Sequence, residues 1–262
     1  LGRQEINSLE EAKSLINIAM TTGQMLIKNG AEIYRAEDTI ERMILSMENI
    51  TEVDVFALSS ALFVSAEYDE ESITMFRDIE NSGVNLNQID ELNTFSRRFV
   101  SGEISLYESR NKLMSISHAT KRSLPVTMFF TGLCSASFAI MFGGTWHDFA
   151  YTFFVGFILN YCMRLTAKHN VSFFPEAFLG TMVVSILALI GVKAMPILHM
   201  DMIIIGAIMP LVPGMIVTNS LRDIISGDYV SGLIGITKGI FVAFAIALGV
   251  GFILNLEKII GG

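Results

Sequence analysis

The feature that most constrains this chain is a series of apolar runs that starts at Leu124 and recurs, with polar breaks, almost to the last residue. The runs are roughly Leu124–Phe142, Phe149–Met163, Phe173–Val192, Met200–Val217 and Tyr229–Leu254. Gly143-Gly144, Arg164 with Lys168, Lys193 with Pro196, and Arg222-Asp223 close the first four. A helix crossing the hydrocarbon core needs about 20 mostly apolar residues. Four runs meet that length, and Phe149–Met163 does so only by borrowing Trp146–Asp148. None shows the short alternating pattern of barrel strands. The sequence therefore predicts five transmembrane helices in a membrane domain spanning 123–262.

Charge divides the chain at the same place. Lys and Arg number 12 against 20 Asp and Glu in Leu1–Arg122, and six against six in the remainder, so the whole net charge of −8 lies in the first part. All five prolines and 16 of the 21 glycines lie in the second. Two solvents are implied, water and then lipid. With no basic patch or arm, a nucleic-acid partner is excluded. Two cysteines, Cys134 and Cys162, both within apolar runs, make no disulfide framework and read as small apolar side chains.

Residues 1–122 read as an α+β domain. Ala12, Leu15, Ile16, Ala19, Met20, Gly23 and Leu26 recur at helical spacing over 9–29, as do Ile33, Ala36, Ile40, Met43, Ile44 and Met47 over 31–48. Thr51–Leu58, Ala61–Glu67 and Ser72–Ile79 are rich in Val, Phe, Thr and Ile, and Tyr68-Asp69-Glu70-Glu71 marks a hairpin turn. After a loop at Asn81-Ser82-Gly83, helical spacing returns over Leu86–Val100. Ser105-Leu106-Tyr107-Glu108 is a capping box that opens a further helix. The expected fold class is thus a cytosolic α+β domain (helix–helix–three strands–helix–helix) followed by an all-α domain of five transmembrane helices. Lys121, Arg122, Arg164, Lys168 and Arg222 fall on one side of the spans, and Lys193 and Lys258 on the other. The bias of positive charge toward the cytoplasm then puts the N-terminal domain in the cytosol of a cell (inner) membrane protein and the C-terminus outside.

No Gly-rich phosphate loop, Cys-x-x-Cys, His-Glu-x-x-His or Gly-x-Ser-x-Gly occurs, so no catalytic residue, metal site or cofactor is assigned. The membrane half does hold polar groups that are costly in lipid. Lys238 lies inside the fifth run, where an uncompensated lysine costs about 2.5–3.5 kcal/mol on insertion scales. Pro210-Leu211-Val212-Pro213-Gly214 removes two backbone donors from the fourth. Broken helices of this kind line substrate sites in secondary transporters. Asn160 is a polar group in the second run, open to a role as substrate contact or interhelical hydrogen bond. His147-Asp148 and His199-x-Asp201 flank two spans on one expected face and could form a protonatable cluster. Ser231, Gly235, Gly239, Ala243, Ala247 and Gly251 make a small-residue ridge at every fourth position, fit for packing within the chain or against another subunit.

Two segments carry a resemblance. Pro210-Leu211-Val212-Pro213-Gly214, Asn219-Ser220-Leu221-Arg222-Asp223, Gly227-Asp228 and Gly232 resemble the membrane signature of the threonine/serine exporter (ThrE-type) family. Gly30-Ala31-Glu32-Ile33-Tyr34-Arg35-Ala36-Glu37-Asp38 is similar to its cytosolic motif. The resemblance implies export of a small polar metabolite: threonine or serine, or a dicarboxylate such as succinate for split members. The single helix block is similar to the larger, YjjP-like subunit of split members, which implies a small membrane partner subunit or another copy of the chain. Carried over by position, Gly30, Ala31 and Arg35 belong to the cytosolic motif. Pro210, Pro213, Gly214, Asn219, Asp223, Gly227 and Asp228 belong to the membrane signature. Pro213-Gly214 would open the helix, Asn219 and Lys238 would contact carboxylate or amino groups, and Asp223 and Asp228 would line the cytosolic mouth or bind Arg222. A membrane-anchored sensor acting through the acidic domain, or a membrane-anchored hydrolase, are the alternatives.

Overall fold

The computed structural model describes residues 5–80, 83–117, 123–169 and 172–261. Asn81, Ser82, Lys121 and Arg122, used above for the loop and the orientation, lie outside them. The chain forms two compact units: Leu1–Thr120 with Met215–Thr237, and Lys121–Gly214 with Lys238–Gly262.

In the first unit, α1 spans Leu9–Lys28. Ser8 Oγ accepts the Glu11 N–H at 3.2 Å while the Glu11 carboxylate accepts the Asn7 N–H at 2.9 Å, so its first turn is held from both ends. All seven residues expected on the apolar face are buried. Helix α2, Ile33–Ile44, is shorter than the expected 31–48. Strands β1 (Ile50–Ala57), β2 (Ala61–Tyr68) and β3 (Glu71–Asp78) form an antiparallel sheet in the order β1-β2-β3. Asp69 and Glu70 both have positive φ, the conformation a two-residue hairpin turn needs to match strand twist. Leu62, Val64, Ala66 and Ile73 face the core with α1 and α2, and Phe56, Phe63 and Phe76 stand exposed in a row on the other face. Helices α3 (Leu86–Val100) and α4 (Leu106–Ser117) close the core through Leu92, Phe95, Phe99 and Leu113. The capping box forms: Ser105 N–H donates to Glu108, and Glu108 N–H to Ser105 Oγ.

The second half of the chain contains α5 (Leu124–Met141), α6 (Trp146–Lys168), α7 (Phe173–Ala194), α8 (Met200–Ile208), a single 3-10 turn (Met209–Leu211), α9 (Gly214–Ser226) and α10 (Tyr229–Gly261). Val155, Leu159, Val184, Ala188, Ile203 and Ala207 form the core of the second unit.

This corrects the expected fold class. Of the described residues 72% are helical and one small three-stranded sheet is present, and the chain is not a separate α+β domain followed by five transmembrane helices. Among the described residues, α5, α7 and α10 are long and apolar enough to cross a membrane, and α8 with α9 makes a fourth span only if the interrupted pair is taken as one. Two physical causes account for the difference. Helix α6 has the length, at 23 residues, but Asp148, Asn160, Arg164 and Lys168 dilute its apolar stretch. The fourth run is broken by its own prolines: Pro213 offers no N–H to the Met209 carbonyl, which instead accepts Val212 N–H at 3.1 Å in a tighter turn. Nor does the α+β part stand alone, because α9 and the first two turns of α10 pack into it.

Candidate functional site

Within the first unit the cytosolic motif meets the Asn219–Gly232 part of the membrane signature, about 190 residues further along the chain. Each contributes a helix corner built in the same way. Helix α1 ends at Gly30 (φ +87°), with Gly30 N–H donating to Ile27 O at 3.0 Å and Ala31 N–H to Leu26 O at 3.0 Å. Helix α9 ends at Gly227 (φ +102°), with Gly227 N–H donating to Ile224 O at 3.1 Å and Asp228 N–H to Asp223 O at 2.8 Å. Both are left-handed caps, which explains the glycine in each motif.

Polar side chains then clasp one corner to the other. Asn219 Nδ2 donates to the Gly30 carbonyl at 2.8 Å. Glu32, the residue before α2, makes no side-chain cap of its own. Asp223, 5% exposed, supplies the missing acceptor, taking the Ile33 N–H at 3.1 Å. A carboxylate there also faces the positive end of the helix. Arg222 Nη1 pairs with Glu32 Oε1 at 2.7 Å, and Arg35 Nε lies 3.7 Å from the same carboxylate. Glu37 Oε1 accepts the Ala57 N–H at 2.7 Å, and Ser231 Oγ donates to the Ala57 carbonyl at 3.3 Å, so both polar groups of that β1 residue are engaged. Burial, together with the carboxylates of Asp228 and Asp223 nearby, pushes Glu37 up to about 7 against the pull of its hydrogen bond. The hydrogen bonds and the charges of Arg222 and Arg35 hold Glu32 below its ordinary value, outweighing its burial.

In the second unit Lys238, on α10, holds its ammonium 5.1 Å from the centre of the Phe173 ring at the start of α7, a cation–π contact. Asn160 Nδ2 donates to Thr131 Oγ1 at 2.9 Å, which makes it an interhelical hydrogen bond between α6 and α5. Pro210, Pro213 and Gly214 form the interruption after α8. Asp148 is fully buried. It accepts from Thr145 N–H and Oγ1 at 2.7 and 2.8 Å and from His199 N–H at 2.8 Å, and lies 2.9 Å from His199 Nδ1. Thus Asp148 and His199 do come together, tying the start of α6 to the start of α8.

Of the ridge on α10, Ser231 serves the clasp, and Gly235 gives room to α9, since a Cβ there would overlap Ser220 Oγ. Ala243 and Ala247 are exposed. Sequence reasoning missed Glu37, and also Ser135 and Thr152, whose buried hydroxyls have no hydrogen-bond partner among the described residues. Glu37 stands inside the quoted cytosolic motif and could have been singled out there. The other two are single hydroxyls in apolar runs and carry no signal until their neighbours are known. Among the described residues, no three His, Cys, Asp or Glu side chains converge as a metal site.

Apolar helices of spanning length together with a proline-interrupted one define a multi-pass membrane protein with the broken-helix element of membrane transporters. The chain belongs to the threonine/serine exporter family: the family model ThrE, described as "Putative threonine/serine exporter", matches residues 17–257. A protein of Mycobacterium tuberculosis (strain ATCC 25618 / H37Rv) named "Probable threonine/serine exporter" is 21% identical over 204 residues, covering 76% of this chain. This chain spans only 37% of that relative's length. No solved structure matches the chain. Both comparisons name threonine and serine, and neither supports the dicarboxylate, sensor or hydrolase readings.

Proposed function

We propose that the chain is one subunit of an exporter for threonine and serine in the inner membrane. Its α+β part lies in the cytosol and its C-terminus outside. It works with a small membrane partner subunit or another copy of itself. The observation that carries the reading is the interruption at Pro210–Gly214 in a chain of an exporter family. Pro210 leaves the Gly206 carbonyl without its α-helical donor, and the ammonium of a zwitterionic substrate can supply one. Lys238 is the one lysine within the apolar stretch of α10 and is assigned to the substrate carboxylate. Asn219 and Asp223 act one step away, by fixing α9 to the α+β part.

The test is efflux from cells preloaded with labelled threonine, comparing the native gene, its deletion and Lys238→Met. Deletion should abolish efflux above leak. Lys238→Met keeps the side-chain length, removes an insertion cost of about 2.5–3.5 kcal/mol, and should reach the membrane at least as well. Its efflux should nonetheless fall by more than about 10-fold, the loss expected when a charge-assisted bond worth about 1.5–3 kcal/mol disappears. Unchanged efflux on deletion would sink the exporter reading, and normal efflux in Lys238→Met would remove Lys238 from the site.

A further inference from the structure

Helices α5 and α6 meet along a seam whose polar groups are handled unequally. On α6, Thr152, Gly156 and Asn160 recur at every fourth residue and so share one face. On α5, Thr131 and Ser135 do the same. Thr131 and Asn160 satisfy one another, and Thr131 Oγ1 also reaches the Thr127 carbonyl at 2.9 Å. Ser135 Oγ and Thr152 Oγ1 are different. Both residues are fully buried, and among the described residues neither hydroxyl has a hydrogen-bond partner. This is not how hydroxyls are treated elsewhere in these helices. Thr127 and Ser137 on α5, and Thr181 and Ser185 on α7, each bond back to the carbonyl four residues earlier.

The backbone crowds in at the same place. Ser135 Oγ lies against Gly156, where a Cβ would overlap it, and a Cβ on Gly132 would stand 2.6 Å from the Phe153 carbonyl. A third helix presses on the junction: a Cβ on Gly206 of α8 would be 2.7 Å from the Ser135 carbonyl and 2.8 Å from Ala139 N. The residue four after Gly206 is Pro210, so the Gly206 carbonyl has no α-helical N–H to accept. The unpaired Ser135 hydroxyl and a carbonyl deprived of its usual donor thus belong to one three-helix junction immediately before the helix interruption, and Thr152 lies one turn from Gly156 on the same face of α6.

We propose that Ser135 and Thr152 are specificity-determining residues that hydrogen-bond the side-chain hydroxyl of the transported amino acid when α5 and α6 part. The inference rests on the exporter reading. Leaving a buried hydroxyl unpaired is unfavourable, and a substrate that carries its own hydroxyl, both donor and acceptor, can pair with either group. An analogue without the hydroxyl leaves them unpaired, which is the strongest form of discrimination a small site can achieve. Glycines at the crossing keep the seam closed to water in the packed state and leave no side chain in the way when it opens.

The experiment uses the native host, with Ser135→Ala and Thr152→Val placed in the chromosomal copy so that any partner subunit is present. Cells are preloaded with labelled threonine or with α-aminobutyrate, which is threonine without its hydroxyl. The native protein should prefer threonine, and each substitution should cut that preference by about 3- to 10-fold, the loss of one neutral hydrogen bond. Thr152→Ser, which keeps the hydroxyl, should restore it. Ser135→Ala removes an unpaired hydroxyl and Thr152→Val puts a methyl group in place of one, so membrane levels read by immunoblot should equal or exceed the native level. An unchanged preference overturns the proposal. So does an equal loss of both substrates, which marks a purely structural role. A deletion strain that still exports threonine at the native rate overturns the exporter reading instead.

Discussion

The clasp of the first unit and the α5–α6–α8 seam of the second use the same kinds of polar residue to opposite ends. In the clasp, Asn219, Asp223, Arg222, Glu37 and Ser231 each find a partner. In the seam, Ser135 and Thr152 are buried at least as deeply as Asp223 and Ser231 and, among the described residues, find none. Burial alone therefore does not separate a structural polar group from one held available for a ligand. What separates them is whether the group's hydrogen-bonding capacity is used. A fully paired group should cost stability when removed, whereas an unpaired one should cost only function.

The largest expected effect tests that rule inside the second unit itself. Asp148 is as buried as Ser135 but fully paired. Asp148→Ala would strand the N–H groups of Thr145 and His199 and remove the partner of His199 Nδ1. We expect a loss of about 3 kcal/mol, read as a lowered thermal midpoint of the purified full-length chain in mild detergent. An Asp148→Ala protein as stable as the native one would show that pairing does not decide the cost.

A smaller loss is expected from the clasp. Asp223→Ala leaves the Ile33 N–H without an acceptor and α2 without its cap, for about 1–2 kcal/mol. Asp223→Asn keeps an acceptor oxygen and should recover most of it. If the two variants melt alike, the cap contributes nothing. Limited proteolysis near Tyr34 gives a second readout, since the first turn of α2 should fray only in Asp223→Ala.

Much of the first unit was legible because its signals are local. The apolar period of α1, the turn at Asp69-Glu70 and the Ser105–Glu108 capping box each specify structure within a few residues, and each formed. The membrane half misled because length and composition were read without partners. The polar residues that disqualify α6 as a simple span include Asn160, which bonds to α5, and Asp148, which bonds to the start of α8. The clasp was illegible for a related reason. Gly30 and Gly227 are recognisable as helix stops, but nothing in either segment announces that Asn219 will bond to Gly30 or that Asp223 will cap α2. Arg222 could equally have paired with the adjacent Asp223, yet the carboxylate of Asp223 is committed to Ile33 and the guanidinium reaches Glu32 instead. Such choices are made by tertiary packing, not by spacing.

The smallest effect, and the one that probes the clasp most finely, is its response to pH. Glu37 is pushed up to about 7 by burial, with the Asp228 and Asp223 carboxylates adding to the shift. Because the folded value lies above the ordinary glutamate value of about 4.5, the protonated form is the one that suits the folded clasp. Its contribution is therefore complete below about pH 4.5 and fades as pH rises through about 7. Glu37 is half-buried, and solvent screening limits the effect to about 1 kcal/mol. Glu37→Gln is neutral at every pH and keeps an oxygen for the Ala57 N–H. Melting the full chain at pH 5, 6.5 and 8 should show the native protein losing more stability than Glu37→Gln across that window, with the variant the more stable at pH 8. Parallel curves would mean that Glu37 is ionised throughout and that Arg222 and Arg35, the cations facing the same corner, offset its neighbours. The clasp would then be a fixed joint, with no response to pH near neutrality.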